Sequence, residues 1–225
     1  MPKFIVQGGH KLEGEVHVSG SKNATLPIMC AALLTDEKTT LTNVPEIADI
    51  RSMTEIMEGM GVKTIFKNNS LEIDPSKLKN ARPNDDHVCK MRASILLFGP
   101  LIANFKKAEM TFPGGCVLGK RSVAAHTGAF QDLGCEVTNG SQDLKIHAKE
   151  LVGATIIMRE RSVTATENAI MAAVKANGTS YIKLAATEPH VQDLCHFLNK
   201  MGAKIEGIGS STLEIKGVKK LKGTN

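Results

Sequence analysis

Cys116 lies in the stretch TFPGGCVLGKR (Thr111 to Arg121), behind a proline and two glycines and just ahead of Lys120 and Arg121. Thiolate rather than thiol is the nucleophile, and neighbouring cations lower the ordinary cysteine pKa of ~8.5. The glycines free the backbone and lift the sulfur away from packing, so the stretch has the makings of a reactive thiol on a loop. Pro-Gly-Gly alone is common turn chemistry, and the stretch gains meaning only from what surrounds it. Of the other cysteines, Cys30, Cys135 and Cys195 fall in apolar periodic segments and read as core residues, while Cys89 has no defined setting.

A second kind of chemistry is suggested by positive charge at helix starts. Ser21-Lys22-Asn23, Lys90-Met91-Arg92 and Arg161-Ser162-Val163-Thr164 each precede a small-residue apolar run. A helix N-terminus offers unpaired N–H groups and the positive end of its dipole, which suits phosphate. The dipole alone is worth only ~0.3–1 kcal/mol in exposed settings, so firm anion binding needs an added Lys or Arg. One such cation is an ordinary solvated surface residue. Three at the unfavourable end of a dipole have no structural benefit, which favours a binding role for the group.

The elements that position these residues come in three copies. GVKTIFKNNSLEID (61–74), GCEVTNGSQDLKIHA (134–148) and GAKIEGIGSSTLEIKG (202–217) each read as a glycine, an alternating strand, a polar turn and a returning strand. The turns fall near Asn68–Asn69, Asn139–Gly140 and Gly209–Ser210, which is hairpin chemistry. Ahead of each hairpin lies an amphipathic helix stopping at the glycine, a left-handed C-cap signal. Ahead of that comes a short strand near Pro45, Pro113 or Pro189, and before it an apolar helix: NATLPIMCAALL, ASILLFGPLIANF or TENAIMAAVKA. The middle helix should kink at Gly99–Pro100. The third shows a capping-box pattern over Thr164 to Glu167. The spans are about 21–75, 90–149 and 150–220, and such units must share one helical core. Residues 1–20 (with KFIVQGGHKLEGEVHVSG) have no equivalent in the repeat and are expected to add strand pairing ahead of it.

The 225-residue chain has an ordinary 42% apolar and 23% charged content for a globular protein. The opening MPKFIVQGG lacks a secretory h-region, and the longest apolar run, LPIMCAALL, is well short of a membrane span. Five scattered cysteines without a CxxC pair support neither a disulfide framework nor a metal site, and a cytoplasmic setting follows. A net charge of +5 spread along the chain, with no Trp and one Tyr, argues against nucleic-acid binding. Small anionic substrates fit it at least as well, and no cofactor is called for.

Together SGSKNATLPI, MRASILLFGPL, PGGCVLGKR, SVTATENAIMAA and EPHVQDLCHFLNKMGAKI resemble the UDP-N-acetylglucosamine enolpyruvyl transferases, in the family's order and over essentially the whole chain. SxxKNAxLP together with PGGCxxGxR is highly specific; the sister enzyme of aromatic amino-acid synthesis shares the fold but not the PGGC loop. The resemblance implies an α/β fold, an inside-out α/β barrel domain made of three βαβαββ repeats. It implies that the 3′-hydroxyl of UDP-N-acetylglucosamine adds to carbon 2 of phosphoenolpyruvate while carbon 3 takes a proton. Phosphate then leaves, giving an enolpyruvyl ether, the first committed step of peptidoglycan synthesis.

On this resemblance Lys22 and Arg121 bind the phosphate and carboxylate of phosphoenolpyruvate, Asn23 lies beside the sugar, and Arg92 is a further anion contact. Cys116 protonates carbon 3, forms an adduct with phosphoenolpyruvate and is alkylated by fosfomycin; Ser162, Val163 and Thr164 hold the diphosphate. The family's usual Arg-Pro-x-Asp-x-His is replaced by Arg121-Ser122-Val123-Ala124-Ala125-His126, in the segment that holds the uridine end. Another nucleotide sugar therefore stays open, as does a non-catalytic anion-binding domain. The family also has a second three-unit domain that supplies the catalytic aspartate and a further arginine and packs against residues 1–20. That domain is absent from this chain, so negligible turnover is expected of it alone.

Overall fold

The computed structural model describes residues 3–114 and 122–225. The first unit runs α1 (Lys22–Ala31), β1 (Thr39–Leu41), α2 (Ala48–Gly59), β2 (Lys63–Lys67) and β3 (Ser70–Asp74). After α3 (Asp85–Val88), the second runs through a 3-10 segment (Arg92–Leu97) into α4 (Phe98–Phe105), then β4 (Lys107–Thr111), α5 (Ala124–Asp132), β5 (Glu136–Asn139) and β6 (Asp143–His147). The third comprises β7 (Thr155–Ile157), α6 (Val163–Ala173), β8 (Thr179–Lys183), α7 (Pro189–Lys200), β9 (Lys204–Glu206) and β10 (Thr212–Lys216).

The threefold repetition extends to individual hydrogen bonds. Helices α2, α5 and α7 all end in a left-handed glycine, Gly61, Gly134 and Gly202. In each case the next residue donates five residues back, Val62 to Met57, Cys135 to Phe130 and Ala203 to Leu198, at 3.1, 3.0 and 2.9 Å. That closes the helix and starts the hairpin. The first hairpin turns on Asn68 and Asn69, both with positive φ, as a two-residue turn demands. Return strands β3, β6 and β10 bury Leu71 and Ile73, Leu144 and Ile146, Leu213 and Ile215. Opposite each isoleucine stand Thr39, Ala108 and Ser180.

One residue past these, the Thr40, Glu109 and Tyr181 amides donate outward to the carbonyls of Thr224, Ala81 and Ala154, at 3.1, 3.3 and 2.9 Å. Each sheet therefore has an edge segment, a first strand, a return strand and a hairpin strand. Among the described residues the third edge segment alone is regular enough to form a strand, β7, parallel to β8. The second, at Ala81, begins upstream of the span expected from the repeat. The first comes from the far end of the chain.

The core lies inside the ring of sheets. Residues 165–173 of α6 are all buried, and α6 packs on α4, α5, α7 and the 3-10 segment, while α1 packs on α2 and α7. Phe98 and Phe130 meet edge to face with centroids 6.4 Å apart. Helices inside and sheets outside is the inside-out barrel that the resemblance implies.

Three local expectations come out differently. Described residues 3–20 form no strand, and Phe4, Ile5, Val6, Leu12, Val16 and Val18 stand exposed. A strand needs a ladder partner, and none pairs with them among the described residues. The cap of α6 is Ser162, whose Oγ accepts from the Ala165 amide at 3.4 Å. Thr164 is therefore already helical, and Glu167 is buried rather than reaching back. The expected kink is a change of helix type, with the 3-10 segment giving way to α4 at Phe98, two residues before Pro100.

Candidate active site

Helices α1 and α6 begin alike. Ser21 and Ser162 have extended backbones, each side chain accepts from the third residue on, and each carbonyl receives the amide of Thr25 or Thr166 at 3.0 Å. Lys22 and Asn23 thus form the first turn of α1, and Val163 and Thr164 that of α6. The second unit starts without a side-chain cap, at Met91, with Arg92 opening the 3-10 segment.

Arg92 lies at the meeting point of that segment and the start of α5. Its Nη2 donates to the Ser122 carbonyl at 3.5 Å, and the Ser122 hydroxyl accepts from the Ala124 amide at 3.0 Å. Val123 is the N-cap, Ala124 the first residue of α5 and Ala125 a buried one. From the next turn position His126 reaches α6, with its Nε2 3.2 Å from Thr164 Oγ1. Burial, and then the Arg92 charge, lower the His126 pKa to about 3, so the ring is neutral. Arg92, Ser122 and, through His126, Thr164 are brought together around orphan helix amides. Such a cluster can hold an oxyanion.

Cys116 and Arg121, together with Lys120, lie outside the described residues. The chain on either side is placed: Gly114 packs so closely on the Cys89 carbonyl, just ahead of Arg92, that any Cβ there would overlap it. Ser122, on the other side, is bonded to Arg92. Both flanks therefore meet the second unit's helix start.

Lys22 stands in a different setting. Its Nζ is 2.8 Å from Asp49 Oδ2 in the first turn of α2, both half-exposed. Asn23 is exposed, and no hydrogen bond or ion pair among the described residues joins either of them to Arg92. The helix they open does pack on the 3-10 segment that Arg92 begins.

Sequence reasoning passes over several groups here. Asp49 is one, and Asn168, on the inward face of α6, is another. Glu167 is almost fully buried, with Oε1 lacking a partner among the described residues. Burial, with Glu188 adding to it, raises its pKa to about 8. For Glu167 and Asn168 the sequence carries a polar triplet, Thr166-Glu167-Asn168, inside a largely apolar helix. Cys30, Cys135 and Cys195 are buried, as their apolar settings imply. Burial pushes Cys30 up strongly, and Cys135 and Cys195 to about 12.

Known proteins share this build. Proteins called UDP-N-acetylglucosamine 1-carboxyvinyltransferase from Borreliella burgdorferi and Treponema denticola are 46% and 47% identical to it, over 100% of this chain and 52% and 53% of their own length. The chain thus spans about half the length of the curated relatives it matches. Among solved structures, the enolpyruvyl transferase NikO from Streptomyces tendae superposes with a TM-score of 0.82 at 20% identity, covering 97% of this chain and 52% of that one. An EPSP synthase from Acinetobacter baumannii gives 0.76 at 22% identity, over 94% and 48%. No helix among the described residues is long and apolar enough to cross a membrane. The family model of EPSP synthase (3-phosphoshikimate 1-carboxyvinyltransferase) matches residues 6–225, and with that extent of agreement on a shared threefold scaffold the chain belongs to this family.

Proposed function

We propose that this chain is the sugar-nucleotide half of a UDP-N-acetylglucosamine 1-carboxyvinyltransferase, completed by a second three-unit half. The observation that carries the reading is 42–47% identity along the whole chain to proteins of that name. The convergence of Arg92, Ser122 and Thr164 on one face supports it. Arg92 and the first turn of α6, Ser162 to Thr164, hold the diphosphate sugar, with Ser122 to Ala125 at its uridine end and Asn23 beside the sugar. Lys22 and Arg121 bind phosphoenolpyruvate. The sugar 3′-oxygen bonds to carbon 2, its hydroxyl proton passing to the aspartate that the resemblance assigns to the second half, as Cys116 delivers a proton to carbon 3. Loss of that carbon's proton with the phosphate then leaves the enolpyruvyl ether. General-acid help of this kind is typically worth ~10²–10⁴-fold.

The exposed apolar residues between Phe4 and Val18 are suited to packing against the second half. The same reading makes Cys116 the target of fosfomycin, gives the reaction a part in cell-wall synthesis, cell shape and division, and places the enzyme in the cytoplasm, where free thiols persist.

The test is phosphate release from phosphoenolpyruvate by the complete enzyme. The reading expects release that depends on UDP-N-acetylglucosamine and is abolished by fosfomycin. No release with any nucleotide sugar would leave a non-catalytic anion-binding domain. A second reading, transfer to another nucleotide sugar, is favoured by Ser122 and Ala124 standing where the family has proline and acid. A higher kcat/KM with that sugar would select it.

A further inference from the structure

His126 faces Thr164 on one side and Asn168 on the other, and the bonding around Asn168 fixes which nitrogen carries the proton. Asn168 Oδ1 is 2.6 Å from the Gly99 amide, a donor, so the oxygen must face it. Its Nδ2 then points at the Ile95 carbonyl, 2.9 Å away, and at His126 Nδ1, 3.0 Å away. The two N–H groups of Nδ2 are donors without acceptor capacity. His126 Nδ1 must therefore accept, and the neutral ring carries its proton on Nε2. That proton goes to Thr164 Oγ1 at 3.2 Å. A hydroxyl that accepts along one direction turns its own hydrogen elsewhere. Thr164 sits in the first turn of α6, where no partner for the Val163 or Thr164 amide exists among the described residues. The charged group that faces His126 is Arg92, which disfavours a second proton on the ring.

We infer that His126 is a positioning residue: locked in one tautomer by Asn168, it turns the Thr164 hydroxyl into a donor toward an oxyanion bound over the start of α6. The inference rests on the reading of Ser162 to Thr164 as a diphosphate site. It adds that a buried, neutral histidine sets the polarity of that site. Gly99, at the junction of the 3-10 segment and α4, thereby reaches the ligand face through three hydrogen bonds, linking a break in one core helix to the mouth of another.

Long-range ¹H–¹⁵N correlation on the chain reads the imidazole directly. The expected result is an Nε2–H tautomer that does not titrate across neutral pH. An Nδ1–H tautomer, or a ring that protonates near pH 6.5, overturns the inference. Calorimetric titration with UDP supplies the second arm. Thr164→Val should weaken binding about tenfold, as loss of one hydrogen bond to a charged group does, and Thr164→Ser should restore it. His126→Leu should match Thr164→Val, and the double variant should lose no more than either, because both act through one hydroxyl. Wild-type affinity in Thr164→Val, which keeps the core intact, overturns the inference alone. Failure of the wild-type chain to bind UDP overturns the diphosphate site along with it, while the tautomer measurement still decides what Asn168 does to His126.

Discussion

The core helices are finished in opposite ways at their two ends. At the carboxyl ends, donors close the loose carbonyls: Asn104 Nδ2 bonds the Leu33 carbonyl at 2.6 Å, Lys175 Nζ bonds Leu34 at 3.2 Å, and Lys106 Nζ bonds Ala103 at 2.7 Å. Lys175 also bonds Asn104 Oδ1 at 3.1 Å. At the amino ends of α1 and α6 one serine caps one amide each, and the nearby cations turn to other partners, Lys22 to Asp49 and Arg92 to the Ser122 carbonyl. Lysines at a negative dipole end are stabilising; cations at a positive end are not. The carboxyl end reads as structure and the amino end as function, and the two should fail differently when altered.

The strongest contrast is expected from Lys22→Ala in the complete enzyme. On the proposed function Lys22 meets the phosphoenolpyruvate anion, and loss of such a charge costs on the order of 10²–10³-fold in turnover. The melting temperature of the chain should move by no more than about 2 °C, since exposed substitutions are worth within ~0.5 kcal/mol. Parallel losses of activity and stability would break the comparison.

Next comes the pH profile. Glu167 has a folded pKa of about 8 against an ordinary 4.5, so the folded state holds the proton more tightly. Its stabilising share is complete below pH 4.5 and is lost as pH rises toward 8. His126 runs the other way, with full stability above its ordinary 6.5 and loss as pH falls toward 3. Between 6.5 and 8 only the Glu167 slope remains of the two. Urea unfolding should therefore show stability falling through that window, and Glu167→Gln should flatten the fall.

Lys175→Met tests the sealed end. It strips a partner from the Leu34 carbonyl and from Asn104, a loss of about 1–3 kcal/mol, and should leave UDP affinity unchanged. The smallest effect belongs to Thr39→Val and Ser180→Ala. These equivalent positions bury hydroxyls with no partner among the described residues, and the second unit already places Ala108 there. Both variants should be neutral or stabilising by less than about 1 kcal/mol.

Those hydroxyls also show how far a sequence can be read. Glycine stops, polar turns and alternating strands are local signals, and Gly61, Asn68–Asn69 and the Leu-x-Ile return strands appear where the pattern places them. The edge bonds from Thr40, Glu109 and Tyr181 join residues 27 to 184 positions apart, and no local pattern encodes them. The cap of α6 was ambiguous for a specific reason: Ser162 and Thr164 are both capping residues, and the acid three past Thr164 favoured the wrong one. Its burial beside Cys30 and Cys195 is a tertiary fact. Arg92 and Ser162 to Thr164 were legible as a group because charge recurred at each helix start. The bond between His126 and Asn168, 42 residues apart, is not, because no local pattern joins the two.

The two places where the body of the domain takes up and releases the chain lie together. Gly20 rests so tightly on the Asn43 carbonyl, just beyond β1, that no side chain fits, and Thr224 is tied to Thr40 within β1. A pull on either tether is therefore felt by one three-residue strand and by the α1 start that Gly20 precedes. The Gly20 contact and the Thr224 bond thus load the same short strand, and Lys22 stands two residues from the first of them.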